Sequence, residues 1–340
     1  MHNKSDNTHC PLVTLLTPCY NTGNLIHRLL DSVLGQTYSR IEMIVVDDGS
    51  TDNSAEVIKS YIPKFESKGY DLRYIYQNNE GQSSAIKHGL KFVNGEFLSW
   101  PDSDDWYASD KAIEKMVLNL KQSSSDFAVV RCQQRIVDEV TLKELSINEG
   151  NTTEDGGLSL FDNCLFFQNG FYIQPVSYMV KTSALKETTH FDIYTNRHAG
   201  QNWQLLLPVF YSYRCIMIKE VLTNILNRAT SHSRGQYKKY EDLILKSECF
   251  ENVAVETVKR IEAMPSEIKK QYIDKLKYNG LRERMAIAYK NRKRKDYANF
   301  FHKWAENSND ARCLGNRLTY LAVKLHIEKV WDFCHRYVDK

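Results

Sequence analysis

The 340-residue sequence predicts an α/β fold in which helices cover both faces of a mostly parallel sheet. The first observation is a unit of apolar strand, polar turn and amphipathic helix that recurs four times before residue 120. The second is that polar residues suited to ligand binding follow each of these strands. The third is a change after residue 235 to charged and apolar helical segments with almost no glycine or proline. The sequence therefore predicts an α/β domain, 1–235, and a helical region, 236–340.

The elements of the first half follow from hydrophobic spacing. Short apolar runs predict buried strands, and apolar residues three or four positions apart predict the helices between them. The predicted strands are 12–17, 41–46, 72–76 and 97–100, and the helices lie at 24–36, around 55–58, 86–93 and 111–120. Ligands bind beyond the carboxyl ends of strands in such sheets. The polar segments at these ends are therefore expected to form one site, and they are 18–21, 47–51, 78–82 and 102–105.

The pattern is looser between residues 121 and 235. Apolar composition still predicts several elements, although their order in the sheet cannot be derived from it. They are a strand at 127–131, a buried helix at 158–167, an edge strand at 176–180, a helix beginning at Gln201 and a strand at 221–227.

Composition excludes several classes of protein. The net charge of +3 gives no support to nucleic-acid binding. The eight cysteines show neither a CxxC pair nor Cys/His ligand spacing, which is typical of reduced thiols rather than of disulfides or a zinc site. The first ten residues lack the apolar core of a signal peptide, and no apolar run is long enough to span a bilayer. We therefore expect a cytoplasmic location.

Three carboxylates follow the fourth predicted strand: Asp102, Asp104 and Asp105. Like charges this close repel, so the cluster requires an explanation. One interpretation is a site for Mn²⁺ or Mg²⁺, which bind carboxylate oxygens together with substrate phosphates. The other is an acidic loop in which Asp104 or Asp105 caps the next helix. The convergence of three other polar strand ends favours the metal site.

The tail contains a basic run, 290–295, followed by Tyr297, Phe300, Phe301 and Trp304. Such a segment is most often a solvated helix face. The alternative is peripheral attachment to the inner face of an anionic membrane, which would suit an enzyme with a lipid-linked acceptor.

Four segments together resemble the family 2 glycosyltransferases of the GT-A fold: LLTPCYN, QTYSRIEMIVVDDGSTDNS, NNEGQSSAIKHGL and NGEFLSWPDSDDW. Many members are bacterial enzymes that build capsule, exopolysaccharide or cell-wall glycans. The resemblance is strong over residues 10–120 and moderate over 170–235. It implies metal-dependent, inverting transfer of a sugar from a nucleoside diphosphate sugar, with UDP expected, to a glycan or lipid-linked acceptor. Residues 10–120 would bind the nucleotide and 121–235 the acceptor.

The resemblance also implies roles for individual residues. Asp48 would accept a hydrogen bond from the uracil ring. Asp104 of the DxD element would hold Mn²⁺ or Mg²⁺ on the diphosphate, and Asp102 would approach ribose or the metal. His232 would complete the metal shell or contact phosphate, although a lone histidine is often structural, and Arg234 would neutralise phosphate charge. Other expected donor contacts are Pro18, Tyr20, Asn21, Gln82, Lys87 and Ser103. Asp105 and Trp203 are assigned to the acceptor side, with loop positioning or metal ligation as alternatives for Asp105.

Two positions depart from the family pattern. Ile86 stands where many relatives have an arginine. Gln201 and Asn202 stand where many carry Glu-Asp, whose aspartate is the general base, and an amide cannot take a proton at neutral pH. Either these two catalytic-site amides bind hydroxyl groups while another carboxylate acts, with Asp192 the nearest upstream acid, or the protein binds a nucleotide sugar without transferring it.

Two other enzyme classes fit less well. A nucleotidyltransferase usually has a glycine-rich, basic phosphate loop after the first strand, and Pro18-Cys19-Tyr20-Asn21 is neither. A dinucleotide-binding oxidoreductase would need a GxGxxG motif at the same place.

Overall fold

The computed structural model describes residues 10–150, 158–228, 237–306 and 320–321. The chain divides into two compact units. The first contains Met1–Arg228 and Lys259–Ala263, and the second contains Ala229–Val258 and Met264–Lys340. Within the described ranges, no helix is both long enough and apolar enough to cross a bilayer.

The first half of the first unit alternates strands with helices, as predicted. The strands are β1 (Val13–Cys19), β2 (Ile41–Asp48), β3 (Asp71–Gln77) and β4 (Phe97–Ser99), and the helices are α1 (His27–Leu34), α2 (Ser54–Lys68) and α3 (Gln82–Gly89), the last followed by a 3-10 turn at Leu90–Phe92. These four strands pair in parallel in the order β3-β2-β1-β4. Both β1 and β2 are buried along their whole length, which explains why their sequences are nearly continuous apolar runs.

Different helices cover the two faces of these strands. Leu15 of β1 belongs to one apolar cluster with Leu29 of α1 and Phe65 of α2. Leu16 points to the opposite face, because successive side chains of a strand alternate. There, a Cβ added to Gly89 of α3 would lie 2.2 Å from Leu16 Cδ1, so the close approach of α3 requires glycine. Each leucine buried in this way contributes about 1.5–3 kcal/mol.

The second half of the first unit extends the same sheet. Its elements are β5 (Trp106–Tyr107), α4 (Ala112–Gln122), β6 (Phe127–Asp138), β7 (Glu144–Asn148), α5 (Leu158–Phe166), β8 (Tyr178–Lys181), α6 (Thr182–Thr189), α7 (Asn202–Ser212) and β9 (Arg214–Asn227). The order continues β4-β8-β6-β9-β5, with β7 on β6. Strand β6 is parallel to β9, whereas the pairs formed by β8, β5 and β7 are antiparallel. The sheet is therefore parallel in its first half and mixed in its second.

The prediction of an edge strand at 176–180 is wrong. Strand β8 lies between β4 and β6, inside the sheet. Its residues Tyr178, Met179 and Val180 are all fully buried, so both of its faces are covered. An apolar run this short gives no sign in the sequence of how many neighbours it pairs with.

The second unit contains helices, as predicted for the C-terminal region. These are α8 (Tyr240–Arg260), whose last two residues are assigned to the first unit, α9 (Ser266–Lys290) and α10 (Arg294–Glu306). A buried ion pair joins Arg284 to Glu251, with 2.8 Å between Nη2 and Oε2. The rings of Tyr297, Phe301 and Trp304 are buried in an apolar cluster of this unit. Three of the four aromatic side chains that follow the basic run are therefore part of a core, which removes them from any membrane-facing surface.

Candidate functional site

The ends of β1 and β2 are joined through Asn21. Its side-chain oxygen accepts hydrogen bonds from the backbone N–H groups of Thr51 (2.8 Å) and Asp52 (3.3 Å). Its own N–H donates to Ser50 Oγ at 3.0 Å. Asn21 has a φ of 51°, a left-handed conformation that asparagine tolerates better than most residues. Asn21 therefore shapes the loop between these strands, and a direct contact with the nucleotide stays a prediction.

Asp48 joins the end of β2 to the loop after β3. Its carboxylate is almost fully buried and accepts hydrogen bonds from Gln77 Nε2 (2.7 Å) and from the backbone N–H groups of Glu80 (2.9 Å) and Gly81 (2.8 Å). A carboxylate has about four acceptor positions. One position is left for a ligand, and the predicted contact with uracil would have to use it.

Gln82 joins the start of α3 to the acid cluster. Its Nε2 donates to Asp102 Oδ1 at 2.6 Å. The next residue, Ser83, exchanges two hydrogen bonds with the backbone of Asn196, at 2.9 and 3.0 Å. The segment that precedes α7 is thereby held against the first turn of α3. All four strand ends expected to converge are consequently linked to one another by side chains.

The three acidic residues have different partners. Asp105 is buried, and its Oδ1 accepts the backbone N–H of Leu226 in β9 at 3.0 Å. Asp104 forms an ion pair with Arg228, with 2.6 Å between Oδ2 and Nη2. The next helix, α4, begins only at Ala112. The interpretation of Asp104 or Asp105 as a helix cap is therefore wrong, because both carboxylates are bound to the end of β9.

The surroundings of the cluster disfavour the charged form of its carboxyl groups. The pKa of Asp102 is raised to about 7, first by burial and then by the charge of Asp104. The pKa of Asp105 is raised well above its ordinary value by burial and by the charges of Asp104 and Asp102. Arg228 opposes both shifts.

These residues fit a divalent cation. Asp102 and Asp104 offer the hard oxygen ligands that Mn²⁺ and Mg²⁺ prefer, and one or two protein carboxylates suffice when substrate phosphates complete the shell. No group of three His, Cys, Asp or Glu side chains in the described ranges is arranged to hold a metal ion. Asp105, turned towards β9, does not complete such a set. The other predicted ligand, His232, lies outside the described residues, as does Arg234.

The residues at the usual base position are amides in two different states. Asn202 is held by the protein itself, because its Oδ1 accepts a hydrogen bond from Trp100 Nε1 (2.9 Å) and its Nδ2 donates to the Ile173 carbonyl (3.4 Å). Gln201 is fully buried. It lies close enough to Asp102 to lower the pKa of that carboxyl, yet neither of its amide atoms has a partner in hydrogen-bonding geometry within the described structure.

Trp203 stands beside these amides. Its Nε1 donates to the Cys164 carbonyl at 3.0 Å, and its ring lies 5.3 Å from that of Phe167. The Phe167 side chain is 55% exposed, and its φ of 50° is unusual for a large residue. The two rings form an aromatic pair one residue away from Asn202.

The carboxylate of Asp192 forms ion pairs with two basic side chains, Lys87 and Arg260. Its Oδ1 lies 2.5 Å from Lys87 Nζ and its Oδ2 lies 3.3 Å from Arg260 Nη1. The hydrogen bond from Lys87 is the largest cause of a lowered pKa for Asp192. A lowered pKa makes Asp192 a weak base. Ile86, where many relatives have arginine, is fully buried.

The remaining predicted residues have simpler positions. Pro18 lies within β1, paired with Val46, and is buried. Tyr20 follows the strand and is 49% exposed, so its ring is accessible to a ligand. Ser103 is buried between the two aspartates of the DxD element.

Sequence reasoning missed Arg228 and Phe167. Arg228 directly follows the run 221–227 that was expected to be a strand, and a basic residue at a strand end opposite an acid cluster is a usable signal. To use this signal, one must know that Asn224 of β9 pairs with Trp106 of β5, because only this register places Arg228 near the acid cluster. For Phe167, the sequence contains no signal that distinguishes it from the core residues of α5.

Comparison with known proteins gives the same assignment of fold and family. The structure of Staphylococcus aureus TarS residues 1–349 in complex with UDP-GlcNAc matches with a TM-score of 0.64 over 96% of this chain and 91% of that one, at 17% identity. The mannosyltransferase PcManGT from Pyrobaculum calidifontis, in complex with GDP-Man and Mn²⁺, matches with a TM-score of 0.52 over 96% of this chain and 88% of that one, at 15% identity. At these identities the likeness shows the fold, which confirms the predicted GT-A fold.

Sequence relatives cover a shorter segment. An uncharacterized glycosyltransferase of Rickettsia typhi is 37% identical over 133 residues, 39% of this chain and 39% of the relative. Glycosyltransferase GlyA of Streptococcus pneumoniae is 38% identical over 117 residues, 34% of this chain and 16% of the relative. The match thus spans well under half of either relative. The family model described as glycosyl transferase family 2 matches residues 14–197, more than half of the chain. The chain therefore belongs to glycosyl transferase family 2.

Proposed function

We propose that the chain is an inverting glycosyltransferase, which moves a sugar from a nucleoside diphosphate sugar to a hydroxyl group of a glycan or lipid-linked acceptor. The hydrogen bond from Gln82 to Asp102 carries the proposal, because it brings the loop after β3 onto the acid cluster after β4. Family membership and the nucleotide sugars bound to TarS and PcManGT support such a donor. UDP is the proposed nucleotide, and a bacterial surface polysaccharide the proposed product.

Asp102 and Asp104 are the proposed ligands of Mn²⁺ or Mg²⁺, with His232 as a third. The cation supplies positive charge that stabilises the departing nucleoside diphosphate. The Mn²⁺ in the PcManGT complex supports this requirement, as does the burial of acidic side chains that repel one another in the acid cluster. Ser103 holds the two ligands apart in the loop, and Arg234 is proposed to add positive charge at the phosphates.

The nucleotide is proposed to bind along the ends of β1 and β2. The exposed ring of Tyr20 offers a surface for the base, with Pro18 behind it in the strand. Asp48 has one acceptor position left for the N–H of the uracil ring. Lys87 is proposed to contact the sugar or the phosphates after leaving Asp192, since the ion pair between them is substantially exposed and therefore weak.

The acceptor is proposed to bind on the side of Trp203. The pair of rings formed by Trp203 and Phe167 offers an apolar surface against which the C–H face of a sugar ring can pack. Gln201 is the amide with unused hydrogen-bonding groups, so it is the better candidate of the two to bind a hydroxyl group. Asp105 positions the acid loop through Leu226.

A second candidate function is the binding of a nucleotide sugar without transfer. The observation that favours it is the state of Asn202, whose amide is bound to Trp100 and Ile173 at the position where relatives place the general base. Transfer then requires that a different group remove the acceptor proton.

A donor screen separates the two functions. UDP-, GDP- and dTDP-sugars are titrated into the protein by calorimetry with Mn²⁺, and again with EDTA, and released nucleotide is measured with and without glycan acceptors. A transferase binds one donor in a metal-dependent manner and releases nucleotide faster when an acceptor is present. Metal-dependent binding without release across the acceptor panel would establish the second function. Absence of binding by all donors would contradict both.

Any attachment to an anionic membrane surface is proposed to depend on the basic run 290–295 and not on the aromatic side chains that follow it. The basic run 290–295 is mostly exposed, whereas the rings of Tyr297, Phe301 and Trp304 are buried. Co-sedimentation with vesicles should therefore need anionic lipid and should disappear in high salt. Binding to neutral vesicles would contradict this.

A further inference from the structure

Arg228 directly follows β9 and is the cationic partner of Asp104. Its Nη2 lies 2.6 Å from Asp104 Oδ2, and the two side chains are only 18% and 17% exposed. Leu226, two residues earlier, donates its N–H to Asp105. The end of β9 is therefore joined to the acid loop at two successive points, one of which is an ion pair.

The location of this ion pair makes it stronger than a pair on the surface. An exposed ion pair contributes little to stability, whereas partial exclusion of water strengthens the attraction between charges. Arg228 contacts Asp104, and its positive charge also acts on the nearby carboxyl groups of Asp102 and Asp105, so it compensates part of the repulsion among the three. The guanidinium contacts Asp104 Oδ2, an oxygen of a carboxylate that the proposed function assigns to a divalent cation.

The guanidinium also has an unused donor. Arg228 Nε is buried and has no hydrogen-bond acceptor within the described ranges. The planar donor group of arginine can donate two parallel hydrogen bonds either to a carboxylate or to a phosphate, because each presents two oxygens that fit its geometry. A guanidinium that already contacts the proposed metal ligand is near the position where that metal would hold a diphosphate.

We infer that Arg228 exchanges partners, binding Asp104 when the cation is absent and the donor diphosphate when the cation is present. The cation and the guanidinium compete for the Asp104 carboxylate, so Arg228 weakens binding of the cation alone. Once a nucleoside diphosphate is present, the displaced guanidinium has a new anion, and cation and nucleotide bind cooperatively. This inference rests on the proposed function, since it requires both ligands at the acid cluster.

The test measures binding without turnover. Mn²⁺ alone is titrated and followed by the electron paramagnetic resonance signal of the free ion. UDP is then titrated at saturating Mn²⁺ by calorimetry, with uridine as the analogue that lacks phosphate. GDP and guanosine replace them if the donor screen selects GDP. The variants are Arg228→Gln, which removes the charge, and Arg228→Lys, which keeps the charge but loses the planar donor group.

A matched control is available on the same strand. Arg214 at the start of β9 forms an ion pair with Asp126, at 3.3 Å, and both side chains are largely exposed. Arg214→Gln removes the same charge from the same strand, at the end opposite Arg228. Thermal melting of each variant checks that the fold is retained.

We expect R228Q to bind Mn²⁺ alone about tenfold more tightly than wild type and, at saturating Mn²⁺, UDP about tenfold more weakly, since a hydrogen bond to a charged group is lost. Uridine binding should not change. R228K should bind Mn²⁺ as wild type does and UDP more weakly, and R214Q should match wild type throughout.

Three outcomes would overturn the inference. If R228Q binds Mn²⁺ no more tightly than wild type, Arg228 does not compete with the cation. If R228Q, or R228K where R228Q does not fold, loses affinity for UDP and uridine equally, Arg228 only shapes the loop. If wild type binds neither Mn²⁺ nor any nucleotide, the proposed function fails together with the inference. Failure of the inference alone is recognised by normal binding of both ligands to wild type and R228Q.

Discussion

The proposed donor side, at the acid cluster, and the proposed acceptor side, at Asn202, differ in how many of their polar groups already have partners within the protein. At the acid cluster, one guanidinium is paired with Asp104, and the pKa values of the neighbouring Asp102 and Asp105 are raised. At the usual base position, both polar atoms of Asn202 already have a partner within the protein, Trp100 and the Ile173 carbonyl. A bound cation can relieve the repulsion among buried carboxylates, whereas a ligand of Asn202 would compete with contacts that the amide already makes. The comparison agrees with the proposal that the acid cluster binds the donor, while the residue at the usual base position makes contacts within the protein.

The largest expected effect is at Asp104. Replacing it with asparagine keeps the shape of the side chain and removes the charge that the cation needs. We expect metal-dependent transfer or donor hydrolysis to fall about a hundredfold or more, since stabilisation of the leaving group is lost. The measurement is initial rate against Mn²⁺ concentration for Asp104→Asn and wild type.

Asp126→Asn is the matched control for this change. Asp126 is an exposed acid paired with Arg214, so its neutralisation should leave the rate unchanged. A rate for Asp104→Asn within tenfold of wild type would contradict the assignment of the acid cluster to the donor.

Asn202→Asp tests whether the base position has become structural. The aspartate can still accept the hydrogen bond from Trp100, but it places a carboxylate oxygen beside the Ile173 carbonyl where the amide was a donor. We expect the free energy of unfolding to decrease by about 1–2 kcal/mol and transfer to show no increase. Urea denaturation and initial rates measure the two effects.

Asn119→Asp makes the same chemical change on α4, where Asn119 Nδ2 donates to the Lys115 carbonyl at 2.8 Å. It should cost stability and leave the rate at the wild-type level. An increase of tenfold or more in transfer by Asn202→Asp alone would mean that the position still serves a base, and the contrast between the two sides would no longer hold.

Replacing Gln201 should have a smaller effect, and it tests whether this residue contacts a ligand or is an ordinary core residue. Methionine has nearly the same shape as glutamine and no polar end. Because the amide of Gln201 has no hydrogen-bond partner within the described ranges, Gln201→Met should change the free energy of unfolding by less than about 1 kcal/mol. Its effect should instead be weaker binding of the donor or the acceptor, measured by calorimetry.

Gln204 on the same helix supplies the comparison. Its Nε2 donates to the carbonyls of Gly200 (2.9 Å) and Tyr194 (3.2 Å), so Gln204→Met should destabilise the protein by about 1–3 kcal/mol. Equal losses of stability in the two variants would show that Gln201 is an ordinary core residue.

The sequence was sufficient for the parts of the fold that depend on local pattern. Strands β1 and β2 are continuous apolar runs, and the helices between them have clear apolar faces, so the parallel half of the sheet and the convergence of its strand ends could be predicted. The assignments of Asp48, Gln82 and Asp102 to one site followed from that convergence. The C-terminal helices were equally clear, since glycine and proline almost vanish there.

The rest depends on contacts between distant segments. The central position of β8 requires knowledge of its two neighbours, and a run of three apolar residues, Tyr178 to Val180, fits an edge strand equally well. The ion pair between Asp104 and Arg228 exists because β5 and β9 are antiparallel, with Trp106 opposite Asn224. No local pattern encodes that register. The role of Asn202 likewise depends on Trp100, which lies on a different strand end.

The smallest expected effect is at Asp192, the acid nearest upstream of the missing base. Its pKa is lowered, chiefly by the hydrogen bond from Lys87, below an unfolded value of 3.8. The resulting stabilisation is fully present above pH 3.8 and is lost as the pH falls through the lowered pKa of the folded state. Because the side chain is 60% exposed, screening keeps this contribution small.

Asp192→Asn should therefore lower the free energy of unfolding by less than about 1 kcal/mol at pH 7, and the difference from wild type should shrink as the pH falls below the ordinary value. Urea denaturation at pH 7 and near pH 3 measures this. Transfer at pH 7 should stay within about threefold of wild type, because a carboxylate with a lowered pKa is a weak base. A loss of a hundredfold would instead identify Asp192 as the base. The acceptor side would then have a reactive carboxylate of its own, kept charged by Lys87 and Arg260. In that case both sides of the site would use carboxylates for the reaction, and the contrast drawn between them would not hold.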